Sequence, residues 1–177
     1  MMKKLSMDEL NRLNVNEFKK QDKIPLVVVL DNIRSLNNIG SVFRTSDAFR
    51  VEAIYLCGIT ACPPHREIHK TALGATESVD WKYFASTKDA ISLLKKENYQ
   101  IIGIEQTNDS VSLLNYVSKG KSAVIFGNEV EGVDEQILDL CDQYIEIPQE
   151  GTKHSLNISV CAGIVIWHFY SQLGANA

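Results

Sequence analysis

Ser122-Ala123-Val124-Ile125-Phe126-Gly127-Asn128-Glu129-Val130-Glu131-Gly132-Val133 is an apolar run that stops at a glycine and turns polar within one residue. The run reads as a buried strand, and the two glycines around Asn-Glu read as a tight loop. Its amides either face a ligand or merely turn the chain toward a helix with a solvated acidic pair. Similar runs recur at Pro25–Leu30, Ala53–Cys57, Trp81–Ala85, Gln100–Ile104 and Gln143–Ile147. Helix-period segments lie between them near Gly40–Phe49, Thr87–Glu97, Glu135–Leu140 and Ser155–Gln172, with Thr87 and Asp134 as N-caps. Strands alternating with helices predict an α/β domain built on a mostly parallel sheet flanked by helices. Ahead of the first strand, Ser6-Met7-Asp8-Glu9 followed by Leu10 and Leu13 predicts a short capped amphipathic helix.

The 177 residues suffice for one ordinary domain, and a net charge of −4 with both signs mixed excludes a polycation and a disordered acidic tail. Residues 1–22 read as an N-terminal helical extension and residues 23–177 as the main domain. The longest apolar stretch, Ile158 to Tyr170, is too short for a bilayer span and reads as a buried helix. Two lysines followed by an acidic pair at the N-terminus do not make a signal peptide, so a cytoplasmic protein is expected. Cys57, Cys62, Cys141 and Cys161 have no metal-ligand spacing, and no metal is expected. Residues 1–50 carry nine Lys/Arg against six Asp/Glu, and residues 51–177 nine against sixteen. That asymmetry permits a polyanion to approach one face.

The common nucleotide loops fail. After the first strand, Asp31 to Gly40 contains no G-x-G-x-x-G, so dinucleotide pyrophosphate has no bare backbone to rest on. Gly127 and Gly132 have P-loop spacing, but Val133-Asp134 stand in place of the lysine and hydroxyl residue.

Three polar segments sit where strands give way to helices. The first is Asn38-Ile39-Gly40-Ser41-Val42-Phe43-Arg44-Thr45-Ser46-Asp47-Ala48-Phe49, in which Arg44 suits a phosphate or carboxylate, or an ordinary i,i+3 pair with Asp47. The second is Phe126 to Val133. The third runs from Ile147-Pro148 through Gly151 to Ser155-Leu156-Asn157-Ile158-Ser159, whose polar side chains are caps, ligand contacts or both.

In order and spacing these three segments resemble the motifs of the SpoU/TrmH branch of the SPOUT RNA methyltransferases, over nearly all of residues 25–172. The resemblance implies a C-terminal deep trefoil knot, rare among folds. It implies a homodimer that takes S-adenosylmethionine and methylates a ribose 2′-hydroxyl of tRNA or rRNA, and the minimal chain favours tRNA. The alternative is a non-catalytic RNA-binding or assembly protein on the same fold. By the same likeness, Asn38, Arg44, Glu129, Ser155 and Asn157 fall on active-site positions. Ile104, Glu105, Gly127, Ile147 and Leu156 would surround the cofactor. Arg44 would orient the attacking ribose, since guanidinium holds its proton too tightly to act as a base, and Glu129 would fix Arg44, within one chain or across the dimer interface. Leu36-Asn37, Gln149, Lys153-His154 and Cys161 depart from the family's usual residues and bear on the substrate. Lys3, Lys4, Lys19, Lys20 and Lys23 are either phosphate contacts or a solvated helix face.

Overall fold

The computed structural model describes residues 2–6 and 8–174. Seven strands form one sheet: β1 (Ile24–Asp31), β2 (Val51–Cys57), β3 (Asp80–Phe84), β4 (Gln100–Ile104), β5 (Val111–Ser112), β6 (Ser122–Phe126) and β7 (Gln143–Glu146). They lie in the order β3-β2-β1-β6-β4-β7-β5, and every neighbouring pair is parallel. The helices are α1 (Val15–Lys20), α2 (Leu36–Ala48), α3 (Arg66–Ala72), α4 (Ala75–Ser78), α5 (Thr87–Lys96), α6 (Glu135–Leu138) and α7 (Ile158–Leu173).

Alternation along β1 splits the core in two, because successive side chains in a strand point to opposite faces. Leu26, Val28 and Leu30 pack with Ile54 and Leu56 toward α2 and α7, while Val27 and Val29 pack with Tyr55 and Ile125 toward α5 and α6. Both faces are therefore covered, as a parallel sheet requires. Among the described residues no helix is long and apolar enough to cross a membrane.

Several expectations need correction. The α2 helix starts at Leu36, with the Ser35 hydroxyl accepting from the Asn38 amide at 3.3 Å, and Gly40 lies inside it. The glycine serves packing: a Cβ there would meet the Ile68 carbonyl at 2.3 Å and the Thr71 hydroxyl at 2.1 Å. Those contacts belong to α3, which, with α4, the sequence reading leaves unassigned. Ser86 caps α5, while the Thr87 hydroxyl is buried and donates to Asp31. Asp134 does cap α6, its carboxylate accepting from the Gln136 amide at 2.8 Å. The two-residue β5 was also missed.

At the N-terminus the Ser6 box holds only a single 3-10 turn, Asp8–Leu10, and Met7 lies outside the described residues. The true helix there is α1, closed by a capping box between Asn14 and Glu17, and its Phe18 is buried in the main core. The α7 helix starts at Ile158, with Asn157 as its cap, three residues later than expected. It is buried on one side only. Ala162, Val165, Ile166 and Phe169 face the core, while Val160, Ile164 and Trp167 are exposed.

Because α2 and α3 touch backbone to backbone at Gly40, Gly40→Ala should cost about 1–3 kcal/mol by overpacking. A thermal melt should show that loss as a fall of several degrees, and an unchanged midpoint would mean the two helices can separate at no cost.

Candidate active-site cleft

Parallel sheets bind ligands beyond the carboxyl ends of their strands. Here the loops leaving β4, β6 and β7 enclose a cleft of about 640 Å³. Ile104, Glu105, Gly127, Glu129, Ile147, Ser155, Leu156 and Asn157 all line it. Eight of the ten residues singled out from sequence thus meet in one place although they come from three separate loops.

The β6 loop is closed by its own backbone. The Gly132 amide donates to the Asn128 carbonyl at 2.9 Å, and a Cβ on Gly127 would lie 2.1 Å from the Gly132 carbonyl carbon. Only glycine permits that approach. Gly132, at φ +73, leaves room for the Glu105 carboxylate, which accepts from the Val133 amide at 3.1 Å and the Gln106 amide at 3.0 Å. Gln106 in turn donates to the His154 carbonyl at 3.2 Å, so all three loops are joined. Asn128 is buried, donating to the Asn32 carbonyl at 2.8 Å and accepting from the Val130 amide at 2.9 Å.

Glu129 reaches across to α2. Its two oxygens accept from the Arg34 and Ser35 amides at 3.1 and 3.0 Å, and the Asn38 side chain donates to it at 3.4 Å. Exposed amides at a helix start favour a carboxylate. Partial burial pushes the Glu129 carboxyl up, but the Arg34, Ser35 and Glu129 amides and the Asn38 side chain together outweigh it and leave the group below its ordinary value. Asn157 completes the chain of contacts by donating to Asn38 at 3.2 Å while capping α7 through the Ser159 amide at 2.9 Å.

The tenth residue, Arg44, is elsewhere. It is exposed on α2 and lines a separate groove with Arg12, Asp47 and Arg50. Glu129 does not fix it within one chain, because the start of α2 already occupies that carboxylate. Nor does Arg44 pair with Asp47, whose side chain accepts from the Ser78 hydroxyl.

Sequence reasoning did not single out the lining residues Glu131, Glu135 and Glu146, and it named Gln149, His154 and Cys161, which also line the cleft, only as departures from the family's usual residues. With Glu105 and Glu129 the cleft has five carboxylates to one imidazole. Its apolar walls are Ile104, Ile147, Leu156 and Ile158. Such a site suits a ligand that is cationic at one end and flat and apolar at the other. The crowding of acids was visible in sequence only as scattered glutamates.

A lowered carboxyl stabilises the fold above its ordinary pKa, and that gain disappears as pH falls through the lowered value. The Tm difference between the parent chain and Glu129→Gln should therefore be widest near neutrality and close in acid. A difference independent of pH would contradict the Glu129 contacts.

The SpoU rRNA Methylase family model matches residues 25–167. A TrmH family tRNA/rRNA methyltransferase of Staphylococcus haemolyticus is 29% identical over 162 residues, covering 90% of this chain and 65% of that protein. The 23S rRNA (guanosine-2′-O-)-methyltransferase RlmB of Vibrio cholerae is 29% identical over 172 residues, covering 95% of this chain and 68% of its own length. The chain therefore spans about two thirds of each. The AdoMet-bound rRNA methyltransferase of Sinorhizobium meliloti superposes with a TM-score of 0.80 at 24% identity, over 88% of this chain and 60% of that one, which shows the shared fold. With 143 consecutive positions matched, running from β1 into α7, the chain belongs to the SpoU rRNA Methylase family.

Proposed function

We propose that the chain is an S-adenosylmethionine-dependent RNA 2′-O-methyltransferase, acting on tRNA ahead of rRNA, cytoplasmic and without a metal cofactor. The observation that carries this reading is the acidic, apolar-walled cleft into which the three motif segments converge. The bound donor supplies a methyl group on a positively charged sulfur, open to in-line attack by an alcohol. Glu105, Glu131 and Glu146 favour a cation there, and Ile104, Ile147 and Leu156 offer surface to an apolar ring. Glu129, Asn38 and Asn157 hold the start of α2 against the start of α7, so the cleft keeps its shape when empty. Ser155 stands at the rim to receive the incoming ribose. Aligning nucleophile and methyl group supplies several kcal/mol without any acid or base.

The enzyme is a homodimer in this reading. Support comes from the outer stripe of α7, where Val160, Ile164 and Trp167 are 51%, 39% and 54% exposed at i, i+4, i+7. The two helices run side by side: Asn38 meets Asn157 at their starts, and Phe49 lies 5.4 Å from the Trp167 ring at their ends. Two-fold pairing of α7 with its copy would turn the end of one α2 toward the partner's cleft. Arg44 would then serve across the interface, orienting the ribose and its neighbouring phosphate while water or that phosphate takes the proton.

The knot belongs to the same reading. Residues 113–121 lead from the sheet edge back to its middle and pass over the end of α7. There the Tyr116 carbonyl accepts from the Gln172 side-chain amide at 3.0 Å and the Ser118 amide donates to Gln172 Oε1 at 2.7 Å. Residues 23–177 would form the catalytic domain and residues 1–22 an accessory arm.

Labelled-methyl transfer to bulk tRNA and rRNA tests the reaction. Arg44→Ala should lower transfer roughly 10²-fold or more, with donor affinity by calorimetry little changed. An Arg44→Ala chain as active as the parent would remove the role given to Arg44, and a parent chain that binds RNA but transfers no methyl would favour the non-catalytic alternative. Trp167→Glu should yield a folded monomer by light scattering with transfer lost. A Trp167→Glu chain that remains dimeric would exclude α7 as the interface.

A further inference from the structure

A second groove, of about 650 Å³, lies outside the donor cleft, between the N-terminal arm, the end of α2 and the corner joining α3 to α4. Arg12, Arg44 and Arg50 all line it. None of their guanidinium groups pairs with a carboxylate among the described residues. Two carboxylates share the groove, Asp47 and Glu77, and Asp47 is already engaged by the Ser78 hydroxyl.

The backbone around it is unusual. Of the five non-glycine residues in the left-handed region among the described residues, Asn11 (φ 45), Arg50 (φ 51) and Leu73 (φ 50) line this groove. Asparagine tolerates that conformation, but arginine and leucine adopt it rarely, and such backbone concentrates at binding sites. At Leu73 it leaves an apolar side chain 64% exposed, in the same groove as Leu13 at 48%. Free guanidinium groups beside exposed aliphatic side chains match a nucleic-acid strand, with phosphates to grip and sugars and base faces to cover.

The lysines of the N-terminal region are less well placed. Lys3 pairs with Glu9 at 3.0 Å, and the Lys23 ammonium donates to the Phe18 and Gln21 carbonyls while lying over the Phe18 ring. Neither lines the groove.

We infer that this groove seats the substrate RNA strand, with Arg12 and Arg50 gripping backbone phosphates next to Arg44 and the residue 8–20 arm forming one wall. Arg12 and Arg50 are thus positioning residues that fix which ribose reaches Arg44. Their assignment depends on the chain being an RNA methyltransferase, and it adds the surface by which the RNA is held.

The test uses the full-length chain, a fluorescent 15-nucleotide RNA and unmodified total tRNA. Anisotropy titrations over a range of salt should show Arg12→Gln/Arg50→Gln weakening RNA binding at least tenfold at low salt. The slope of log affinity against log salt should flatten by about 1.4 for two lost single-strand phosphate contacts. In transfer assays KM for tRNA should rise with kcat much less affected, while donor affinity and Tm match the parent. A charge-matched control on other exposed surface, Lys96→Gln/Lys119→Gln, should leave the salt slope unchanged. An Arg12→Gln/Arg50→Gln chain with the parent's salt slope, or a control with an equal loss, would overturn the groove assignment. The methyltransferase reading would survive that result, since it fails separately, on absence of donor binding in the parent chain.

Discussion

The carboxylate of Glu129 is the point on which the cleft is organised. It leaves the β6 loop and caps the start of a helix more than ninety residues earlier in the chain. Without it the turn leading into α2 would present the Arg34 and Ser35 amides unpaired, and the Asn38 side chain would lose one of its two partners. The contact works because the loop that carries Glu129 is itself rigid. Gly127 and Gly132 let the backbone fold onto itself, and Asn128 is buried beneath, tied to the turn after β1. A single ionised side chain thereby fixes the relation of β1, β6, α2 and, through Asn157, α7.

The same frame keeps two concave regions apart. The cleft lies beyond β4, β6 and β7 and is acidic. The arginine groove lies on the β1–β2 half, under the N-terminal arm. The overall charge of −4 conceals this separation. In the proposed reading a cationic donor and an anionic strand would be attracted to different ends of one molecule, and a dimer formed through α7 would join the end carrying Arg44 to the partner's cleft.

Much of this was legible in sequence. The strand over residues 122–126 and its glycine-bounded loop were read at their observed positions, because a strand buried on both faces shows as an unbroken apolar run. The convergence of residues 104–105, 127–129 and 147–157 came from the motif resemblance; periodicity carries no information about which loops meet. The α3 helix escaped notice because only Ile68 and Ala72 of its seven residues are buried, too few for a periodic signal. Gly40 was read as a helix start when it is a close contact between helices, a distinction that depends on a neighbour invisible in one chain segment. Arg44 was expected beside Glu129, but spacing along a helix fixes only the residue's own face. It does not say which cavity that face meets. The apolar C-terminal stretch was read as buried, and one stripe of it, Val160, Ile164 and Trp167, is exposed, which hydropathy alone cannot separate from burial.

The central claim is that three loops form one pocket for a sulfonium nucleoside. A crystal structure of the chain with S-adenosylhomocysteine, the demethylated form of that donor, tests it most directly. The account requires the nucleoside between Ile104, Gly127 and Leu156, with its sulfur on the side of the cleft where Asn38 and Glu129 meet. Density for the molecule in the arginine groove, or a cleft left empty at saturating concentration, would contradict it.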